Sequence, residues 1–316
     1  VRVFVAGASG VLGKSLLPLL RAAGHEATGT TRREERVEAI RAAGAEAVVC
    51  DALDAEALRG AVVAAAPDAV VHALTALPAR IVPRRDYLAA TNRLRTEGTR
   101  NLLAAAQAAG ARRIVAESVA FLYRAEGSWV KDEAAPPFLD APGIFRAGAE
   151  ATVELERRVL GAEGIEGVVL RMGWLYGPGT YYASDGSQAA DVRRRRAPVV
   201  GAGTGVFSFL HVDDAAAAVV AALERGAPGA YNVVDDEPAP MREWLPAYAE
   251  ALGAKPPRRV PAWLARLIAG RAAVQMLTEL RGASNAKAKQ ELGWEPAHPS
   301  WRQGFAEALA AEDLSR

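Results

Sequence analysis

VRVFVAGASGVLGKSLLPLLRAAG, residues 1–24, holds a strand, a glycine-rich turn and a helix in two dozen positions. VRVFVAG (1–7) is a β-rich apolar run, and Val11 to Ala23 carries apolar residues at helical spacing. Between them, GASGVLG sets Gly7, Gly10 and Gly13 three apart. In a strand–turn–helix setting the first glycine permits a sharp turn and the second lets a pyrophosphate approach the backbone. The third lets the helix pack closely on the strand. The helix N-terminus adds free N–H groups and about half a positive charge, which suits phosphates. Gly7, Ala8, Ser9, Gly10, Val11, Leu12 and Gly13 are therefore a candidate dinucleotide-binding turn.

Outward from this unit the pattern repeats. EATGTTR (26–32), AEAVVC (45–50), DAVVHAL (68–74), ARRIVAES (111–118) and GVVLRM (167–172) read as further strands. Helical stretches lie between them, near 34–43 and 54–65, in a long run ending RTEGTRNLLAAAQAAG, and before residue 167. Alternating strands and helices with near-continuous apolar strands predict a parallel sheet covered on both faces. Right-handed crossovers make it a Rossmann-type, doubly wound α/β fold. After Met172 the pattern loosens into Gly/Pro-rich segments. HVDDAAAAVVAALERG reads as a helix with Asp213 and Asp214 at its start and Gly226 at its end, and AYNVVD (230–235) as a strand returning to the sheet. The expected division is a dinucleotide-binding domain over 1–172 with 212–236. A smaller, discontinuous C-terminal lobe takes 173–211 and 237–316.

The second strand bears on the choice of dinucleotide. An NAD site places Asp or Glu about twenty residues on, to hold the ribose hydroxyls. Here Thr31, Arg32 and Arg33 stand in that place, and a guanidinium suits a 2′-phosphate. NADP(H) is expected over NAD(H).

Composition narrows the rest. The net charge of +1 gives no global field for nucleic acid or an anionic membrane. One cysteine, Cys50, excludes an internal disulfide and a cysteine-based metal site, and the histidines (25, 72, 211, 298) have no metal spacing. A strand beginning at Val1 and the lack of a membrane-spanning apolar run give the expectation of a cytoplasmic protein. Thirty-three arginines against five lysines, with abundant alanine, suggest a GC-rich bacterial genome.

GASGVLG, CDALD (50–54), VVHAL (70–74), EGTRNLLAAA (97–106), RIVAES (113–118), LRMGWLYGPG (170–179), FSFLHVDDAA (207–216) and AYNVVDDEP (230–238) together resemble the extended short-chain dehydrogenases/reductases of the NAD-dependent epimerase/dehydratase family. The resemblance runs nearly end to end. It implies that Asp51, with Ala52 beside it, meets the adenine. His72, Ala73 and Leu74 would line the ribose and pyrophosphate path, although for His72 local packing is the better explanation. Ser118 would lie beside the nicotinamide, and Gly173, Trp174 and Leu175 would face its carboxamide. The helices carrying EGTRNLLAAA and following Phe145 often pair between subunits in this family, so a homodimer is expected.

The family's chemistry rests on Tyr-x-x-x-Lys, with the tyrosine twenty-six residues before the arginine that ends strand six. Counting back from Arg171 gives Phe145, and four further on stands Ala149. Neither can transfer a proton or supply a charge. Val119 takes the usual Ser/Thr position, and Ser118, one residue earlier, would point to the other face of the strand. Arg95 stands where an asparagine is usual, three residues before Gly98. The chain thus resembles an atypical member, and losing a positioned acid–base group costs about 10²–10⁴ in rate. Weak substitutes for the missing donor are Ser118 and Tyr123, then Tyr176, Tyr181, Tyr182 and Lys131. Arg193–Arg196 could grip an acidic substrate or form a solvated helix face. The expected function is an NADP(H)-dependent oxidoreductase or epimerase-like enzyme acting on a small carbonyl or alcohol. A catalytically silent NADP(H)-binding redox sensor and a sugar-nucleotide epimerase or dehydratase are the alternatives.

Overall fold

The computed structural model describes residues 1–80, 87–140 and 144–314. Residues 81–86, in the stretch read as helical after the fourth strand, 141–143, and 315–316, at the end of the expected smaller lobe, lie outside them. The central sheet has seven strands: β1 (Arg2–Ala6), β2 (Glu26–Thr31), β3 (Glu46–Val49), β4 (Ala69–His72), β5 (Arg113–Val119), β6 (Glu166–Met172) and, much later, Gly229–Val233. From one edge to the other the order is Gly229–Val233, β6, β5, β4, β1, β2, β3, and every pairing is parallel. The order reverses between β1 and β4, and ligands of such sheets bind outside the strand ends at that switch point.

Alternation along β1 divides the core. Val3 and Val5 face α1 (Val11–Ala22), meeting Leu12, Leu16 and Leu20, together with Ala215 and Val219 of α8 (Val212–Glu224). Phe4 and Ala6 face Leu58 and Val62 of α3 (Ala55–Ala65), and Leu102 and Ala105 of the helix Thr99–Ala108. Successive residues thus bury opposite faces, as a covered parallel sheet requires.

A third, aromatic cluster is built from residues beyond 172. Tyr176, Tyr182, Phe209, Trp244, Tyr248, Trp301 and Phe305 pack together in it. Phe209 meets Trp244 and Phe305 edge-on at 5.1 Å, a favoured aromatic geometry. Trp174–Tyr176 and Phe209–His211 pair in parallel and join this cluster to the end of the sheet.

Three details differ from the sequence reading. The stretch 34–43 splits into a 3₁₀ turn, Glu34–Arg36, and a short helix, Val37–Ala42. The long helix after β4 contains a π-helical turn, Leu94–Gly98. Helix α8 is capped by His211, whose Nδ1 accepts the Asp213 N–H at 3.3 Å, and not by the aspartates. Asp214 points inward instead, accepting the N–H groups of Ala297 and His298 at 2.8 and 3.0 Å. A buried carboxylate with several donors is stable there, and it ties the C-terminal segment to the sheet.

Candidate active site

A cavity of about 820 Å³ opens at the switch point, within the usual size for small-ligand sites. It begins at the glycine turn. Gly7 has φ +100°, and a Cβ there would stand 2.3 Å from the Ala73 carbonyl oxygen; at Gly13 it would stand 2.4 Å from that of Ala8. Backbone therefore excludes side chains at both. Ser9, Gly10, Val11 and Leu12 form the cavity wall, and the first N–H groups of α1 lie there without intrahelical partners. The turn is fixed to the end of β2, where the Gly7 N–H donates to Thr30 Oγ1 (3.3 Å) and Ser9 Oγ to Thr31 Oγ1 (3.2 Å). Arg32 and Arg33 line the cavity beside this turn, as does Arg36, three residues further on.

The other sequence candidates divide. Ala73, Ser118, Gly173, Trp174 and Leu175 also lie on the cavity wall. Asp51, Ala52, His72 and Leu74 do not. Asp51 is exposed, accepting the Leu53 N–H at 3.0 Å, and the Ala52 carbonyl accepts from Asn101 Nδ2 at 3.1 Å. Leu74 packs against the core. His72 is buried, and Thr99 Oγ1, 2.9 Å from its Nε2, already donates to the Arg95 carbonyl. His72 Nε2 is thus the donor, and burial pushes the imidazole down to about 4. It is a neutral packing residue.

Phe145 and Ala149 of α6 (Ile144–Leu160) line the cavity, as does Val119 of β5. The candidate replacement donors are engaged elsewhere. Ser118 Oγ donates to Glu156 at 2.6 Å, on the α6 side of the strand, and Glu156 is ion-paired with Arg171. Tyr123 donates to Asn232 Oδ1 and accepts from Arg171 Nη1 at 3.2 Å; burial raises its phenol further. Tyr181 lines the cavity, but its hydroxyl donates to the Pro78 carbonyl at 2.7 Å, and burial pushes it up to about 12. Tyr176 is buried in the aromatic cluster, and Tyr182, although on the cavity wall, is buried there too. Lys131 binds the Glu126 carbonyl away from the cavity, and Arg193–Arg196 do not contribute to its wall.

The chemistry-bearing groups the sequence reading missed are Glu117 and Tyr87, while Arg95 was noted only as a replacement. All three line the cavity. Burial pushes the Glu117 carboxyl up to about 7, against the opposing pull of the Arg95 cation. Burial also lowers the Arg95 guanidinium and raises the Tyr87 phenol. A signal existed: Glu117 interrupts the apolar run RIVAESV with a carboxylate in a strand otherwise bound for the core. The remaining wall is aromatic and apolar. Phe121 and Trp174 stack there at 4.2 Å with 16° between planes, while Met276 and Leu280 approach from the helix Ala262–Glu279 and its C-cap.

Comparison with known proteins gives this geometry a lineage. The sequence model of the NAD dependent epimerase/dehydratase family matches residues 3–234. A 3-diazoavenalumate denitrifying reductase from a Streptomyces species is 51% identical over 307 residues, 96% of this chain and 99% of that protein. A 4-hydroxy-2-methyl-3-oxo-4-farnesyl-3,4-dihydroquinoline-1-oxide ketoreductase from Stigmatella aurantiaca is 31% identical over 264 residues, covering 81% and 74% of the two chains. Among solved structures, UDP-glucose 4-epimerase from Thermotoga maritima, with UDP-glucose, superposes with a TM-score of 0.79 at 21% identity, covering 100% of this chain and 99% of that one. UDP-glucose 4-epimerase from Thermus thermophilus, complexed with NAD, gives 0.70 at 25% identity, with 98% and 97% covered. The chain belongs to the NAD-dependent epimerase/dehydratase family, the extended short-chain dehydrogenase/reductase type of oxidoreductase, whose cofactor is a nicotinamide dinucleotide.

Proposed function

We propose that the protein is an NADP(H)-dependent reductase acting on a flat, conjugated carboxylate that carries a diazo group, and that reduction replaces that group by hydrogen with loss of N₂. One observation carries the reading. The cavity wall includes Phe145, Ala149 and Val119, at the positions where the resemblance to the family leads one to expect its proton-transfer side chains. Reduction of a ketone leaves an alkoxide that must be protonated, and that protonation is the task of such groups. On an aromatic ring the diazo substituent is a diazonium group, and its replacement makes no such demand. The hydride pair forms the new C–H bond, and the C–N pair departs with neutral N₂. The name of the 51% identical relative describes this class of reaction.

The cofactor fits the residues present. The turn at Ser9–Leu12 would take the pyrophosphate on backbone N–H groups, and Arg32, Arg33 and Arg36, which line the same cavity, offer guanidinium groups to a 2′-phosphate. Reduced nicotinamide, when bound, supplies the hydride. This chain's residues orient the acceptor and exclude water: Phe121 and Trp174 offer a stacked wall to a planar ring, with Phe145 in the same cavity. That wall favours an aromatic acceptor over a sugar nucleotide, and Arg193–Arg196, the sequence support for the sugar-nucleotide reading, stand away from it.

The test uses purified protein, NADPH and a diazo-substituted aryl carboxylate labelled with ¹⁵N in the diazo group. The expected result is one labelled N₂ released per NADPH oxidised, with deuterium from C4-deuterated NADPH appearing on the former diazo carbon. Oxidation of NADPH by ketones with retention of the diazo nitrogen would overturn the proposal. Tight NADPH binding without turnover of either substrate would favour the silent sensor, the other reading that Phe145 and Ala149 support.

A further inference from the structure

We propose that Arg95 is the anion receptor of this cavity: its guanidinium takes an oxyanion of a flat aromatic substrate, carboxylate or ring phenolate, and so decides which end of the substrate meets the hydride donor. The inference rests on the reductase reading above and adds the means of orientation.

Arg95 stands in the π-helical turn Leu94–Gly98 between Ala89–Arg93 and Thr99–Ala108. Such turns widen a helix locally and recur at functional sites. Its side chain lines the cavity, and among the described residues it has no hydrogen bond or ion pair, although its backbone carbonyl accepts from Thr99. Among the described residues, four titratable groups act on it electrostatically. Glu156, on α6, is committed to Ser118 and to Arg171. His72, from β4, is neutral and bonded to Thr99. Tyr87, ahead of the helix, is a phenol that burial keeps protonated. Glu117, on β5, is the remaining carboxyl, and it too is short of solvent.

Arg95 is half-buried on the cavity wall, and the five N–H donors of an unpaired guanidinium, set in a planar fork, are best satisfied by a carboxylate or comparable oxyanion. The other arginines of the wall cannot serve the same ligand group. Arg32, Arg33 and Arg36 follow β2, whereas Arg95 follows β4, on the other side of the switch point, and interacts with Glu117 of β5. The cavity therefore has two separate cationic ends. One suits the cofactor's phosphate. The other lies where family members carry an uncharged asparagine, beside the position at which chemistry is expected.

The experiment is direct binding to the full-length chain, read by quenching of the Trp174 region and by absorbance of the ligand. The probes are 4-hydroxycinnamate, its methyl ester and 4-methoxycinnamate. For the wild-type protein at pH 8, Arg95→Met is expected to weaken 4-hydroxycinnamate at least tenfold. If the carboxylate is the bound anion, the methyl ester is indifferent to the substitution. If the phenolate is bound, the methoxy acid is indifferent, and the bound hydroxy acid shows the red-shifted absorbance of its phenolate. Either pattern supports the receptor. Glu117→Gln, which removes the competing carboxyl, is expected to tighten whichever probes retain the anion, and it keeps the question open to test should Arg95→Met fold poorly. Equal weakening of all three probes, no change in any, or no binding to the wild type would overturn the assignment. NADPH binding, followed separately, should be unchanged in both variants. Absence of N₂ release with the Arg95 effect intact refutes the denitrifying reaction alone. Release of N₂ with unchanged probe ratios refutes the receptor alone.

Discussion

Charge reversal at the two arginines after β2, Arg32→Glu with Arg33→Glu, is expected to separate the two nicotinamide dinucleotides. Both side chains line the cavity beside the glycine turn, and the Arg33 side chain is 65% exposed with only a loose contact to Glu35 at 4.0 Å. In so open a setting the effective dielectric approaches that of water, where unit charges at 4 Å interact by about 1 kcal/mol. A 2′-phosphate carries roughly −1.5 to −2 charges, as other phosphate monoesters do, so each arginine contributes about 1.5–2 kcal/mol before screening. Reversal replaces that attraction by repulsion of similar size. Salt near physiological strength removes part of both, since the screening length is about 8 Å. A net loss of about 4 kcal/mol remains for the pair, which is close to a thousandfold in NADPH affinity at about 1.4 kcal/mol per factor of ten. NADH has no phosphate there and should change by less than about threefold. Dissociation constants for both cofactors, taken from nicotinamide fluorescence at low and high salt, check this. The NADPH loss should shrink as salt rises. Equal losses for NADH and NADPH would refute the 2′-phosphate assignment, because they would mean that the arginines support the turn and not the ligand.

Three further outcomes follow from the packing. Gly7→Ala places a Cβ 2.3 Å from the Ala73 oxygen at φ +100° and is expected to cost about 3 kcal/mol or more. Gly60→Ala, at a helical site with nothing within 4 Å of the new methyl, should stabilise by about 0.5–1 kcal/mol; thermal denaturation of the two variants side by side is the check. Ala149→Lys puts an ammonium at a position with 0% exposure; denaturant titration should show a loss of about 3–5 kcal/mol, and ketone reduction should not appear. Glu117 has its folded pKa raised to about 7 by burial, with Arg95 opposing, so the folded state holds a proton that the unfolded state loses near pH 4.3. Its contribution to stability is full below that pH and declines as pH rises to about 7, by roughly 3 kcal/mol in all. Glu117→Gln should flatten that slope in denaturation curves taken from pH 4.5 to 8.

The sheet was legible because its signal is local. Each apolar strand and each glycine spacing is written within a few residues, and Gly7, Gly10 and Gly13 report a turn whose purpose is fixed by the carbonyls of Ala73 and Ala8 crowding against it. The site was legible only where it reuses backbone. Side chains at the reacting end answer to tertiary neighbours. Ser118 is drawn to Glu156 on α6, and Tyr123 to Asn232 and Arg171, from 38, 109 and 48 residues away. No local pattern could show that those hydroxyls are already spent. Arg36 was hidden in a charged helix start, and the approach of Met276 depends on how a distant helix lies across the strand ends.

Arg95 and Glu117 show why an altered site need not be a dead one. A site that has merely lost its acid–base pair would keep the surrounding polarity of its ancestors or relax to a uniformly apolar filling. This one instead holds a cation and a carboxyl at positions where burial makes each expensive. Both are half-buried, and neither makes a side-chain hydrogen bond or ion pair among the described residues. A bound anionic substrate is the compensation the cavity can offer, since it pairs with Arg95 and favours the protonated form of Glu117. The hydride acceptor most compatible with Phe145 and Ala149 is one whose leaving group departs neutral, and an anion held at Arg95 is what would keep such an acceptor aligned without a tyrosine to grip its reacting oxygen.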